Sequence, residues 1–131
     1  MIDERVEWLN ARLDELEHVA NEARHGGVGA WHQTDPDRES GRIEDGRGRI
    51  VVFDEGSPSG WGAEHITLHD PRSVLARVEA DRRILAAHLP DAHGYCPTCD
   101  DNTTLAPCAT LAALLSAHRH APEFKEEWLN V

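Results

Sequence analysis

CPTCDDNTTLAPC, residues 96–108, holds every cysteine of a 131-residue chain: Cys96, Cys99 and Cys108. A C-x-x-C turn presents two thiolates to one tetrahedral ion, and the third cysteine stands where a returning chain begins a helix. That helix reads from near Cys108 through Leu111, Leu114 and Leu115 to about His118. An odd number of thiols closes no disulfide framework, and a reducing cytosol keeps thiols free for metal. Three thiolates need a fourth ligand, and nine histidines compete for the place. Helix rise removes two of them: His118 falls roughly 15 Å from Cys108, and His120 further still. His88 and His93 both precede the C-x-x-C closely. His88 falls in the last turn of the preceding helix, where a Cys3His site would staple that helix to the next. His93, in the loop, is the reserve ligand. A redox C-x-x-C usually follows a strand, and no strand pattern precedes Tyr95. Three unpaired thiols are the plain alternative. The expected cofactor is a structural Zn2+, closed by four ligands, with no position left for a water and hence no catalysis at the cysteines.

Upstream of this loop the pattern is helical. Ala63 to His69 makes about two turns, and Asp70-Pro71 breaks them with an N-cap and a first-turn proline. The next helix runs through Val74, Leu75, Val78, Leu85 and Leu89 until Pro90 ends it. Downstream, Pro122 is expected to open a short helical tail, PEFKEEW, that docks Phe124, Trp128 and Leu129.

At the other end, Asp3 to Arg24 reads as a long helix. Ile2, Val6, Leu9, Leu13, Leu16, Ala20 and Ala23 form a stripe at helical steps, and Gly26-Gly27 supplies the stop. The stripe could be a coiled-coil dimer seam, but it spans few heptads and fades to alanine, which favours a face lying on its own core. Residues 28–60 are a β-ribbon region. Arg42-Ile43-Glu44 and Arg49-Ile50-Val51-Val52-Phe53 flank Asp45-Gly46-Arg47-Gly48, a hairpin signal. A lone two-stranded ribbon is marginal in water, so it needs a helix or a third strand near Trp31. These elements make one domain over 1–131, α+β and predominantly helical.

The charge is −11, with 13 Lys and Arg against 24 Asp and Glu, which argues against direct nucleic-acid binding. Arg77, Arg82 and Arg83 form a basic strip, but Glu79 and Asp81 interleave it, as on a solvated face. No apolar run is long enough to cross a membrane, and MIDERVEWLN lacks the apolar core of a secretory signal. A cytoplasmic protein is expected, monomeric or dimeric through the N-terminal helix.

Two further clusters carry polar chemistry. Glu64, His65 and His69 are weak catalytic candidates, because histidines four apart share a helix face. Their order, E-H-x-x-x-H, is not the H-E-x-x-H of zinc proteases. Helix-end roles for His69 and Asp70 compete with that reading. Trp31 with His32, and Trp61, suggest contact surfaces, although a chain poor in aromatics would first spend them in its core. No phosphate loop, G-x-S-x-G or nucleophile triad is present.

The chain resembles an uncharacterised family of small proteins from actinobacteria and their phages, a domain of unknown function. Four stretches carry the resemblance: the acidic helix VEWLNARLDELEHVANEAR, the segment GVGAW, the block AEHITLHDPRSVLARVEADRRILAAH from Ala63 to His88, and the cysteines followed by Thr110-Leu111 and a tail ending Glu126-Glu127-Trp128. The resemblance implies an actinobacterial or phage source. Twelve arginines against the single Lys125 suggest a GC-rich genome as well. The family pattern closes its helical block on a histidine, which falls on His88 and favours it as the fourth ligand. Where the family has a tyrosine segment before an H-P pair, this chain reads LLSAHRHAPEF, so a role for that tyrosine does not carry over. The family brings no activity. The expected function is therefore a small zinc-stabilised interaction module with a protein partner. The competing readings are a metal-dependent, hydrolase-like enzyme on Glu64, His65 and His69, and an acidic nucleic-acid mimic.

Overall fold

Asp3 begins the first helix by local chemistry: its carboxylate accepts from the Arg5 backbone N–H at 2.9 Å and pairs with the Arg5 guanidinium at 2.7 Å. Helix α1 (Glu4–Ala23) then keeps its apolar stripe inward, with Leu9 and Leu13 fully buried and Ala20 nearly so. Leu9 and Leu13 of that stripe thus lie in the chain's own core, while Leu16 is half-buried. In the computed structural model, residues 3–53, 55–99 and 108–129 are described. Among them follow β1 (Trp31–Gln33), β2 (Ile43–Asp45), β3 (Ile50–Val52), α2 (Gly60–Leu68), α3 (Pro71–Ala87), α4 (Ala109–Ser116) and a 3-10 turn at Glu126–Leu129. The chain divides into two compact units, Glu15–Val78 and the combination of Met1–Asp14 with Glu79–Val131.

In the Glu15–Val78 unit the ribbon gains the third strand it needed. The sheet is antiparallel in the order β1-β2-β3, with Trp31 opposite Asp45, Gln33 opposite Ile43, and Ile43 opposite Val52. Pairing shifts between Ile43 and Glu44, a bulge. The Asp-Gly turn closes on Asp45, whose carboxylate accepts from the backbone N–H groups of Arg47 and Arg49 at 2.9 Å each. Gly48, at φ +78°, supplies the left-handed residue that turn requires.

Helix α2 begins three residues before the expected Ala63, at Gly60, because Ser59 caps it by accepting from the Gly62 N–H at 3.1 Å. Trp61 therefore lies on a helix and not in a loop. It is 70% exposed, so the core did not claim it. Gly60 is required by contact: a β-carbon there would come within 1.8 Å of the Arg38 carbonyl oxygen. Helix α2 lies against β1, where the Gln33 side-chain amide donates to the Gly60 carbonyl at 2.7 Å. Asp70 caps α3 as expected, and it does more. One carboxylate oxygen accepts from the Ser73 N–H at 2.9 Å and the other from the Trp31 N–H at 3.0 Å.

In the other unit the buried residues are Leu9, Leu13, Leu85, Cys96, Cys108, Leu111, Leu114, Leu115 and Trp128. Burying one leucine of this kind stabilises by about 2 kcal/mol, so α4 contributes far more by packing than its eight residues would by propensity. The tail differs from expectation. Pro122 opens no helix; the chain passes through Glu123 at φ +67° and forms only the 3-10 turn. Phe124 and Trp128 do dock, against Trp8, at centroid distances of 5.6 and 5.3 Å. No described helix is long and apolar enough to cross a membrane.

Candidate metal centre

Helix α3 ends at Ala87, so His88 sits just past its last residue and not within its final turn, its N–H still donating to the Leu85 carbonyl at 3.1 Å. Pro90 stops the helix, and the chain reverses around Asp91. The Asp91 carboxylate accepts from the His93 and Tyr95 N–H groups at 2.8 and 3.0 Å, while its own N–H donates to the Tyr95 carbonyl at 2.8 Å. Those backbone donors, Tyr95 first, hold the Asp91 carboxyl below its ordinary pKa. Gly94, at φ +85°, completes the reversal. The turn carries Cys96 and Cys99 back beside His88, and the Thr98 hydroxyl ties it there by donating to the Ala87 carbonyl. Cys108 arrives as the N-cap of α4, its sulfur accepting from the Leu111 N–H at 3.4 Å.

His88 Nδ1 lies 3.3 Å from the sulfur of Cys96, 3.3 Å from that of Cys99 and 3.6 Å from that of Cys108. The four donor atoms all fall within 4.8 Å of one another and could hold a metal ion. Bonds of about 2.3 Å to sulfur and about 2.0 Å to nitrogen at a tetrahedral ion set N···S edges of about 3.5 Å, which these distances match.

The clustered thiols perturb one another. Burial raises the Cys96 thiol, but N–H donation from Cys99 and Thr98, with His88 and Cys108 beside it, outweighs that and brings it down to about 6. Cys99 is pushed up to about 11 by loss of solvent at its sulfur and by Cys108 and Cys96. A divalent ion held by the group would favour the thiolate form of all three.

The other expected residues lie elsewhere. His93 is exposed and outside the group, so the reserve ligand is not the one gathered with the cysteines. His118 sits 3.7 Å from Asp81, and its burial lowers its pKa against the pull of that carboxylate. Glu64 is engaged by the Arg38 guanidinium at 2.5 and 2.9 Å, which holds its carboxyl below the ordinary range. His65 and His69 are exposed, their rings tilted together at 4.6 Å. Arg77 approaches His69 Nδ1 at 3.0 Å, so that ring nitrogen is already engaged. Among the described residues, Glu64, His65 and His69 are not gathered as a group that could hold a metal ion. Arg82 pairs with Asp14 at 2.7 Å and Arg83 with Glu79 at 2.6 Å, as a solvated strip should.

Sequence reasoning missed Trp8, which sits one step off the apolar stripe yet anchors the tail. The neighbouring Val6 and Leu9 were the only signal for it. Compared with known proteins, residues 2–130 match the model of a family of unknown function, DUF6221. No curated protein and no solved structure matches the chain.

Proposed function

The chain belongs to that family of unknown function, and since the family brings no activity with it, we propose on chemical grounds that this is an interaction module built around a structural zinc ion. His88, Cys96, Cys99 and Cys108 are the ligands in this reading. The observation that carries it is the gathering of one imidazole nitrogen and three sulfurs within 4.8 Å. Three thiolates and an imidazole form a soft donor set of the kind zinc takes in closed, four-coordinate sites. Such an ion supplies cohesion: it would bind the end of α3, the 96–99 turn and the start of α4 into one piece. Cys108 would serve the ion and the helix with the same sulfur. We infer further that the chain acts as one domain, since α1 and α3 each contribute to both compact units.

The partner in this reading is a protein with a basic face. Glu4, Glu7, Asp14, Glu15 and Glu22 are exposed along α1, and the charge of −11 would steer such a partner toward it. Free thiols fit a reducing cytoplasm, and the resemblance of the sequence favours an actinobacterial or phage source.

Metal analysis and native mass spectrometry of the chain purified without chelator test the metal, and affinity capture from the source cell tests the partner. Expected are one zinc per wild-type chain, its weakening or loss in His88→Ala, and a partner whose retention falls with added salt. A wild-type protein free of metal would overturn the zinc reading. Repeated capture of nothing would overturn the interaction reading.

A further inference from the structure

Where α1 meets the tail, three aromatic rings form a groove of about 460 Å³ together with Glu4, Glu123 and Lys125. Phe124 stands edge to face with Trp8 and with Trp128, which are tilted against each other, with centroids 5.3–5.6 Å apart and interplanar angles of 56–84°. The Trp8 indole N–H donates to the Pro122 carbonyl at 3.1 Å, which fixes that ring and spends its polar edge. What remains for a ligand is the half-buried surface of Trp8 and Phe124, beside a nearly buried Trp128 that Lys125 overlies, rimmed by carboxylates.

Two observations identify the ligand. The chain's single lysine, Lys125, already places its ammonium there: Nζ stands 5.6 Å from the centre of the Trp128 ring and pairs with Glu4. An ammonium between a carboxylate and an indole is held by charge and by the ring quadrupole together. The second is Glu123, exposed at the rim with φ +67°. A non-glycine residue in the left-handed region is uncommon, and no partner for this carboxylate is found among the described residues. It offers a second negative charge that Lys125 does not use.

We propose that the groove of Trp8, Phe124 and Trp128 binds an organic ammonium group, with Glu123 and Glu4 as counter-charges and Lys125 as an internal occupant that the ligand displaces. The proposal goes beyond the interaction reading and does not draw on the metal centre. The ammonium arrives either on a lysine side chain of a partner or on a free small molecule. Affinity for a single group is roughly millimolar, as expected for cation–π contacts and exposed charges.

The test follows the indole N–H resonances of the full chain by NMR during titration with tetramethylammonium chloride, or with Nα-acetyl-lysine-N-methylamide, against sodium chloride at matched ionic strength. Saturable movement of the Trp8 and Trp128 signals is expected, with Trp31, outside the groove and with its indole nitrogen buried, as the unmoved control. Response to the lysine amide alone supports a partner side chain, response to tetramethylammonium alone a free quaternary ligand, and response to both the shared chemistry. Lys125→Ala should tighten binding about three-fold by vacating Glu4 and the Trp128 face, and Glu123→Gln should weaken it about three-fold. If the Trp128 signal of Lys125→Ala loses its dispersion, Lys125→Gln replaces it. No saturable shift in either the wild type or the lysine variant, equal shifts with sodium chloride, or unchanged affinity on removing Lys125 would overturn the proposal.

Discussion

Cys108 caps α4 and stands in the group that could hold a metal ion, and two substitutions separate the cap from the proposed ligation. It is 1% exposed, caps α4 through the Leu111 N–H at 3.4 Å, and lies 3.6 Å from His88 Nδ1. Cys108→Ser keeps a capping oxygen but offers zinc a poor ligand. Cys108→Ala removes both. In chelator the metal is out of the balance and only the cap remains. There the alanine variant should fall below the serine variant by about 1 kcal/mol, the usual worth of an N-cap, or a melting difference of about 3 °C for a chain of this size. With free zinc a thousand-fold above its dissociation constant, the wild type should gain about 4 kcal/mol by linkage. Both variants should lose most of that gain, and lose it equally. Thermal melts of three proteins in chelator and in buffered zinc give all the comparisons. A serine variant that keeps the full zinc-dependent shift would refute Cys108 as a ligand. Alanine and serine variants that melt together in chelator would refute the cap.

Other expectations follow from single residues. Gly60→Ala should destabilise by about 2 kcal/mol, since its β-carbon meets the Arg38 carbonyl, whereas Gly46→Ala, facing open space, should stay within about 0.5 kcal/mol; urea midpoints decide. Leu111→Ala, at a fully buried site, should cost about 3 kcal/mol, while Trp61→Ala should cost about 0.5 kcal/mol or less. Burial raises the Asp70 carboxyl, but the donors from Ser73 and Trp31 outweigh it, so its folded pKa lies below the ordinary value. The unfolded chain then binds the extra proton first. Asp70 stabilises fully above the unfolded value of about 4, and that contribution is lost as pH falls through the folded one. The stability gap between wild type and Asp70→Asn should be flat at neutral pH and shrink in acid; a gap that widens there would reverse the sign.

Periodicity made α1 and α3 legible, because their apolar stripes repeat at the helical step and their ends carry ordinary signals, Asp70-Pro71 above all. The start of α2 was not legible for a physical reason. Ser57-Pro58-Ser59-Gly60-Trp61-Gly62 looks like a loop by composition, yet Gly60 is there to admit the Arg38 backbone and Ser59 to cap the helix. A tertiary contact chose the glycine and hid the helix. Pattern reading could gather Cys96, Cys99 and Cys108 and preferred His88 as fourth ligand, but it kept His93 in reserve, since both are near in sequence. The Asp91 turn leaves His93 exposed while His88 stands within the cysteine group. Trp8 was invisible to a stripe reading because its partners, Phe124 and Trp128, lie at the far end of the chain.

The connection between β1 and β2 has a further consequence. Arg38 lies 4.3 Å over the Trp61 ring while its guanidinium grips Glu64, one turn along the same helix. With the Gly60 contact, a stretch of chain that would otherwise sample many shapes is pinned to the first turn of α2. The ordering entropy is thus met during folding. A molecule meeting Trp61 and Arg38 encounters a surface already in place, sparing about 1 kcal/mol for each long side chain that would otherwise be immobilised on contact.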